Sequence, residues 1–189
     1  MTEKCLSEVY PPSEDTFLLI DSINQMKKVF KVAVEIGTGY GLAAIKLAEK
    51  SKYVIATDLN KKALLTAKNN SEKANVKEKI DFIAGDLLSF FRENAEIDVI
   101  AFNPPYVPEN LIEDISWCGG YDGRTIIDRF LDQMETITSN IILLVQSTLS
   151  KPDKTREKLK SMKYFTEVER KPGFFEEIII IKATLQKSQ

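Results

Sequence analysis

Asn103-Pro104-Pro105-Tyr106 is the part of the chain best suited to chemistry. An asparagine side-chain carbonyl and a neighbouring backbone carbonyl can together accept both protons of an NH2 group. A tyrosine ring can cover the flat group that carries that nitrogen. Two consecutive prolines fix φ and restrict the residue before them, so such a slot is shaped before anything enters it. The chemistry implied is presentation of a planar nitrogen to an electrophile, at a near-attack distance of roughly 3–3.5 Å. No histidine occurs anywhere, which excludes a Ser-His-Asp mechanism, a histidine base and most catalytic zinc sites.

The elements that must position this slot alternate in type. Apolar runs at Val32–Ile36, Tyr53–Thr57, Ile80–Ala84, Ile97–Phe102 and Ile141–Gln146 predict strands. Between them, Leu42–Lys50, a segment capped by Asn60 and running to about Lys73, Thr125–Met134 and Lys154–Ser161 predict helices. Ser13 caps a further helix, whose acidic first turn (Glu14, Asp15) complements its dipole. Near the end, Phe165–Arg170, a Lys171-Pro172-Gly173 turn and Phe174–Lys182 predict a hairpin. Repeated strand–helix units imply an α/β fold with a doubly wound, mostly parallel sheet, closed by an antiparallel hairpin. At 189 residues the chain is expected to form one domain spanning 1–189. The net charge of −2 provides no global attraction to nucleic acid. The cluster Lys151, Lys154, Arg156, Lys158, Lys160 and Lys163 predicts a solvated helix face. Cys5 and Cys118 lack zinc spacing and a secreted disulfide pattern, so a cytoplasmic protein without a metal site is expected.

In such sheets ligands sit beyond the carboxyl ends of the strands. Three groups fall there: Glu35 with the Gly37-Thr38-Gly39-Tyr40-Gly41 turn, Asp58 with Leu59, and Asp86 with Leu87. A dinucleotide fingerprint requires glycine at position 42, where the chain has Leu42. A ring of Glu35, Asp58 and Asp86 repels a pyrophosphate and suits a ligand carrying an ammonium and a sulfonium. S-adenosylmethionine has both, so it is the expected cofactor, with Glu35 toward the ammonium, Asp58 toward the ribose diol and Asp86 toward the adenine amine. Taken singly, Asp58 also fits a turn, and Asp86 fits a cap on a helix over Leu87–Phe91.

With these residues in place, the chain resembles the class I S-adenosylmethionine-dependent methyltransferases that carry Asn-Pro-Pro-Tyr. More closely, it resembles the HemK-related glutamine methyltransferases of class 1 peptide-chain release factors. The resemblance lies in Tyr10-Pro11-Pro12-Ser13-Glu14-Asp15-Thr16-Phe17-Leu18-Leu19, in Glu35-Ile36-Gly37-Thr38-Gly39, and in Gly119-Gly120-Tyr121-Asp122-Gly123-Arg124. It implies a Rossmann-like, seven-stranded sheet in which residues 1–28 pack over the cofactor site. The opening segment starts within ten residues, as in the short archaeal and eukaryotic form, which works with a small zinc-binding activator subunit. By resemblance, Thr16, Glu35, Gly37, Gly39, Asp58, Leu59, Asp86, Leu87 and Asn103 contact the cofactor. Asn103, Pro104, Pro105, Tyr106 and Val107 hold the substrate, with Asn103, Pro104 and Tyr106 catalytic. Tyr40 and Pro11-Pro12 depart from the family pattern. The implied reaction is N5-methylation of glutamine in a Gly-Gly-Gln loop. Alternatives are adenine-N6 methylation of DNA or RNA, and lysine methylation. The strand at Ile80–Ala84 is expected at a sheet edge, open to the activator.

Overall fold

The computed structural model describes residues 9–108, 119–172 and 177–186. Seven strands form one sheet: β1 (Phe30–Ile36), β2 (Ser51–Asp58), β3 (Ile80–Ala84), β4 (Glu96–Phe102), β5 (Thr138–Ser147), β6 (Tyr164–Pro172) and β7 (Glu177–Leu185). Their order is β3-β2-β1-β4-β5-β7-β6. Among the described residues, α1 (Glu14–Gln25) precedes β1, and four further α-helices connect strands: α2 (Leu42–Lys50), α3 (Lys61–Lys73), α4 (Thr125–Gln133) and α5 (Pro152–Ser161).

All strand pairs from β3 through β5 are parallel, and β7 runs antiparallel to both of its neighbours. Parallel neighbours demand crossovers, and right-handed crossovers fix their side. From β1 the chain steps one way to β2 and β3, and from β4 the opposite way to β5. Consequently α2 and α3 cover one face and α4 covers the other. Both faces being covered explains why the ends of β1, β4 and β5 are continuously buried runs instead of alternating ones. Phe102 at the end of β4 packs edge-on against Phe130 of α4, with centroids 5.2 Å apart. Such a pair contributes about 0.5–1.5 kcal/mol beyond its buried area. It also fixes α4 next to the residues that follow Phe102.

The local signals act as their chemistry predicts. Asn60 Oδ1 accepts from Lys62 N at 2.9 Å and starts α3. Leu18, Leu19, Ser22 and Ile23 form the buried stripe of α1. The basic residues of α5 face water and pair with acids: Lys158 with Asp132 and Glu135, and Arg156 with Asp153. Among the described residues β3 pairs only with β2 and is a sheet edge, as expected. The hairpin turn is placed differently. Lys171 and Pro172 remain in β6, opposite Ile178 and Glu177, because pairing with the long apolar β7 extends the ladder past the expected turn. Gly173, Cys5 and Cys118 lie outside the described residues. No helix among the described residues is long and apolar enough to cross a membrane.

Candidate active site

β1 and β4 are sheet neighbours whose following helices lie on opposite faces, so a crevice opens beyond their carboxyl ends. A cleft of about 220 Å³ occupies it. Every residue expected to hold cofactor or substrate lines this cleft: Thr16, Glu35, Gly37, Gly39, Asp58, Leu59, Asp86, Leu87 and Asn103 through Val107. Among the described residues that line it are four carboxylates, with Asp15 the fourth, and no lysine or arginine.

The glycine turn is built by backbone geometry and held by two of the acids. Gly37 and Gly39 adopt φ of +66° and +52°, and a Cβ on either would meet nothing closer than 3.7 Å. Their glycine character therefore serves conformation and an open approach, not packing. Gly41 differs, since a Cβ there would sit 2.7 Å from Ala67 Cβ of α3. Asp58 Oδ2 accepts from Gly39 N at 3.0 Å and its Oδ1 from Asn60 N at 2.8 Å. Glu35 Oε2 accepts from the Thr38 hydroxyl and, at 2.9 Å, from Ala44 N in α2. Burial pushes the Glu35 carboxyl up to about 8, against the opposing pull of these hydrogen bonds, and Asp58 adds to the rise. Burial likewise raises Asp58. Two buried acids whose ionised forms are disfavoured by burial form a site that gains from a positively charged ligand. Tyr40, the departure noted in the sequence, leaves the turn intact: its carbonyl accepts from Asn70 Nδ2 at 2.9 Å.

At the far end of the cleft, residues 86–90 form turns, not a helix, so Asp86 is not a helix cap. Its Oδ2 meets Arg129 of α4 at 2.6 Å. One helical turn further on, Gln133 Oε1 accepts from Leu88 N at 2.7 Å. Leu87 between them has φ of +54°, a left-handed conformation costing roughly 1–2 kcal/mol. α4 thus clamps a strained turn through two side chains that the sequence did not single out. Their i, i+4 spacing was the available signal.

The slot after β4 is preshaped. Asn103 Oδ1 is buried without a hydrogen-bond partner among the described residues. An orphaned buried acceptor of this kind costs about 1–3 kcal/mol, so its persistence in the cleft wall marks it as a receiver for a donor from outside. Tyr106 is buried, and its hydroxyl donates to Asp15 Oδ2 at 3.2 Å. Behind it, Gly119 N donates to the Val107 carbonyl at 2.9 Å. Gly123 packs so closely that a Cβ would fall 2.2 Å from the Tyr106 carbonyl oxygen. Arg124 is buried and anchors this segment: Nη1 donates to the Ser150 and Lys151 carbonyls and to Thr155 Oγ1, and Nη2 pairs with Asp128. The Gly-Gly-Tyr-Asp-Gly-Arg segment is therefore the wall behind the slot. The sequence marked it without a role, because its contacts are made across the fold. Asp15, read there as a helix-dipole residue, is instead buried and bonded to two tyrosines.

Sheet order, reversed β7, glycine turn and acid-ended β2 together define a class I methyltransferase. The methyltransferase small domain model matches residues 14–116. The chain is 36% identical over 186 residues to a Methanocaldococcus jannaschii protein provisionally assigned as a protein N5-glutamine methyltransferase, covering 93% of this chain and 91% of that one. It is 32% identical to human methyltransferase HEMK2, over 83% of this chain and 78% of the relative. A chain of the E. cuniculi Mtq2–Trm112 complex, responsible for methylation of the eRF1 translation termination factor, superposes with a TM-score of 0.77 at 29% identity. That match covers 94% of this chain and 99% of the other. The chain belongs to the methyltransferase small domain family and, within it, to the HemK-related methyltransferases.

Proposed function

We propose that this protein uses S-adenosylmethionine to methylate the side-chain amide nitrogen of glutamine in the Gly-Gly-Gln loop of a class 1 peptide-chain release factor. The observation that carries the reading is the buried, unpartnered Asn103 Oδ1 in the cleft wall. Relatives named for glutamine methylation, at 36% and 34% identity, support the same substrate.

The residues fit the cofactor. The open face of Gly37 and Gly39, the Asp58 and Glu35 carboxyls and the absence of lining cations suit a cationic nucleoside and repel a pyrophosphate. Thr16, Leu59 and Leu87 would border it, and Asp86, oriented by Arg129, would face the base. When bound, S-adenosylmethionine supplies an electrophilic methyl group on a sulfonium sulfur.

The chain's own residues supply placement. Asn103 Oδ1 and the Pro104 carbonyl accept the two amide N–H bonds, which turns the nitrogen toward the cofactor end of the cleft. Tyr106 covers the amide plane, and Pro105 and Val107 exclude water. Accepting a methyl group would develop positive charge on the amide nitrogen. The two carbonyl dipoles stabilise it, and one proton then leaves to solvent. No strong base is required in this scheme, because alignment and fixed dipoles lower the barrier. A small zinc-binding activator subunit is the proposed partner. Support comes from the heteromeric E. cuniculi complex and from the open β3 edge, whose Phe82 is only partly buried.

Mass spectrometry of a purified release factor, after incubation with this protein and S-adenosylmethionine, tests the proposal. A gain equal to one methylene on the glutamine of the Gly-Gly-Gln peptide is expected. Label transferred only to nucleic acid, or only to lysine, would overturn it.

A further inference from the structure

Asp15 has contacts that a helix-dipole role does not require. Glu14, beside it in the first turn of α1, is exposed and already serves that role. Asp15 is 4% exposed. Its Oδ1 accepts from Thr16 N at 2.6 Å, and its Oδ2 receives the Tyr10 hydroxyl at 3.1 Å and the Tyr106 hydroxyl at 3.2 Å. The two tyrosines come from opposite ends of the cleft's function. Tyr10 belongs to the segment Val9–Pro12 that runs along the cleft, and its carbonyl lies 3.9 Å from where a Cβ on Gly39 would stand. Tyr106 belongs to the slot. The Tyr10 hydroxyl is itself driven up by burial and by the Asp15 charge, so it stays a donor. One buried carboxylate thus joins the strand of chain beside the glycine turn to the ring beside Asn103.

We propose that Asp15 is a positioning residue that latches the Tyr10 segment and Tyr106 to each other, so that closure over the cofactor and alignment of the substrate slot occur together. The inference rests on the function proposed above and adds a coupling between its two halves. Pro11 and Pro12 hold the backbone between Tyr10 and α1 at fixed φ, so movement of Tyr10 is transmitted to the start of α1 and is not absorbed between them. Tyr106, in turn, is held from behind at its carbonyl by Gly123. The hydroxyl bond to Asp15 holds the ring at its other end.

The test has two arms. In the first, Tyr10→Phe and Asp15→Asn are compared with the unaltered protein for cofactor affinity by calorimetry, and for single-turnover transfer to a glutamine-bearing acceptor at saturating cofactor. A latch predicts that Tyr10→Phe, a change made in the segment before α1 and not in Asn103–Val107, loses about tenfold in both quantities, the scale of one hydrogen bond to a charged acceptor. In the second arm, amide hydrogen exchange is followed at Tyr10 and Ser13 on one side, and at Tyr106 and Val107 on the other. Tyr10→Phe should speed exchange at Tyr106 and Val107 about tenfold, Tyr106→Phe should do the same at Tyr10 and Ser13, and the double variant should match either single one. Effects confined to the altered segment, or additive in the double variant, would overturn the latch. So would a Tyr10→Phe protein that loses cofactor affinity alone. The exchange arm needs neither acceptor nor activity and relies on the two conservative Tyr→Phe changes, so it decides the question even if Asp15→Asn fails to fold. If the unaltered protein methylates no glutamine, the proposed function fails while exchange still judges the latch.

Discussion

Gly123→Ala offers a sharp test of the wall behind the slot. Gly123 has φ of +73°, and the added Cβ would lie 2.2 Å from the Tyr106 carbonyl oxygen and 3.1 Å from Ser150 Cβ. Left-handed backbone in an L-residue costs roughly 1–2 kcal/mol, and forcing one methyl into a packed contact adds about 1–3 kcal/mol. A combined loss near 3 kcal/mol lowers Tm by about 6–12 °C in a chain of this size. The local effect is larger than the global one. Carbon–oxygen contacts of this kind rest near 3.3 Å, so the Tyr106 carbonyl must retreat by about 1 Å. A displacement of that size in a positioning element can slow the chemical step about 10²-fold. Thermal unfolding and single-turnover transfer, measured on the same preparation below the lowered Tm and at saturating cofactor, separate the two effects. A variant with a depressed Tm and a single-turnover rate within twofold of the original would refute the claim that Gly123 sets the slot.

Asn103→Ala should slow single turnover by about 10²-fold or more, with cofactor affinity changing by less than about fivefold; a near-normal rate removes the proposed mechanism. Glu35 gives a pH prediction. Its carboxyl stands at about 8 in the folded protein against an ordinary 4.5, so between these values the folded state holds a proton that the unfolded state has released. Its contribution to stability must therefore fall as pH rises from about 4.5 to about 8, and level off outside that window. A Glu35→Gln protein should lack that slope in urea titrations. For the same reason, a cationic cofactor favours the ionised carboxyl, so binding at neutral pH should release protons and tighten toward pH 8. Calorimetry in buffers of different ionisation enthalpy measures this, and proton uptake would contradict it. Arg124→Lys should destabilise the protein by about 2 kcal/mol, since an ammonium cannot reproduce the planar fork that reaches both carbonyls and Thr155. An unchanged urea midpoint would show that the fork is dispensable.

The strands and their order of function were legible because each is a short apolar run closed by a recognisable terminator: glycine after Ile36, aspartate after Thr57, Asn-Pro-Pro after Phe102. Much of the cleft's lining followed from topology, since Glu35, Asp58, Asp86 and Asn103 all lie at or just beyond a strand's carboxyl end. What the sequence left unread depends on contacts between distant segments. Asp15 meets Tyr106 across 91 positions and Asp86 meets Arg129 across 43, and nothing local distinguishes such an acid from one that faces a helix dipole or water. Gly123 looks like any turn glycine until Tyr106 is set against it. The hairpin turn was misplaced for a related reason: Pro172 breaks a local pattern, while the β7 ladder carries pairing through to it.

The position of β7 has a bearing on how the chain is made. The last strand in sequence lies inside the sheet, between β5 and β6. β6 is therefore synthesised before the only neighbour it pairs with, and β5 presents an open apolar edge until residues 177–185 arrive. During translation, residues 177–185 must clear the ribosome before the sheet can be completed. A chain interrupted after β6 and before β7 would leave β6 and one edge of β5 without the strand they pair with. Completion of the sheet thus certifies that translation has passed residue 185, in an enzyme whose proposed target is the machinery that ends translation.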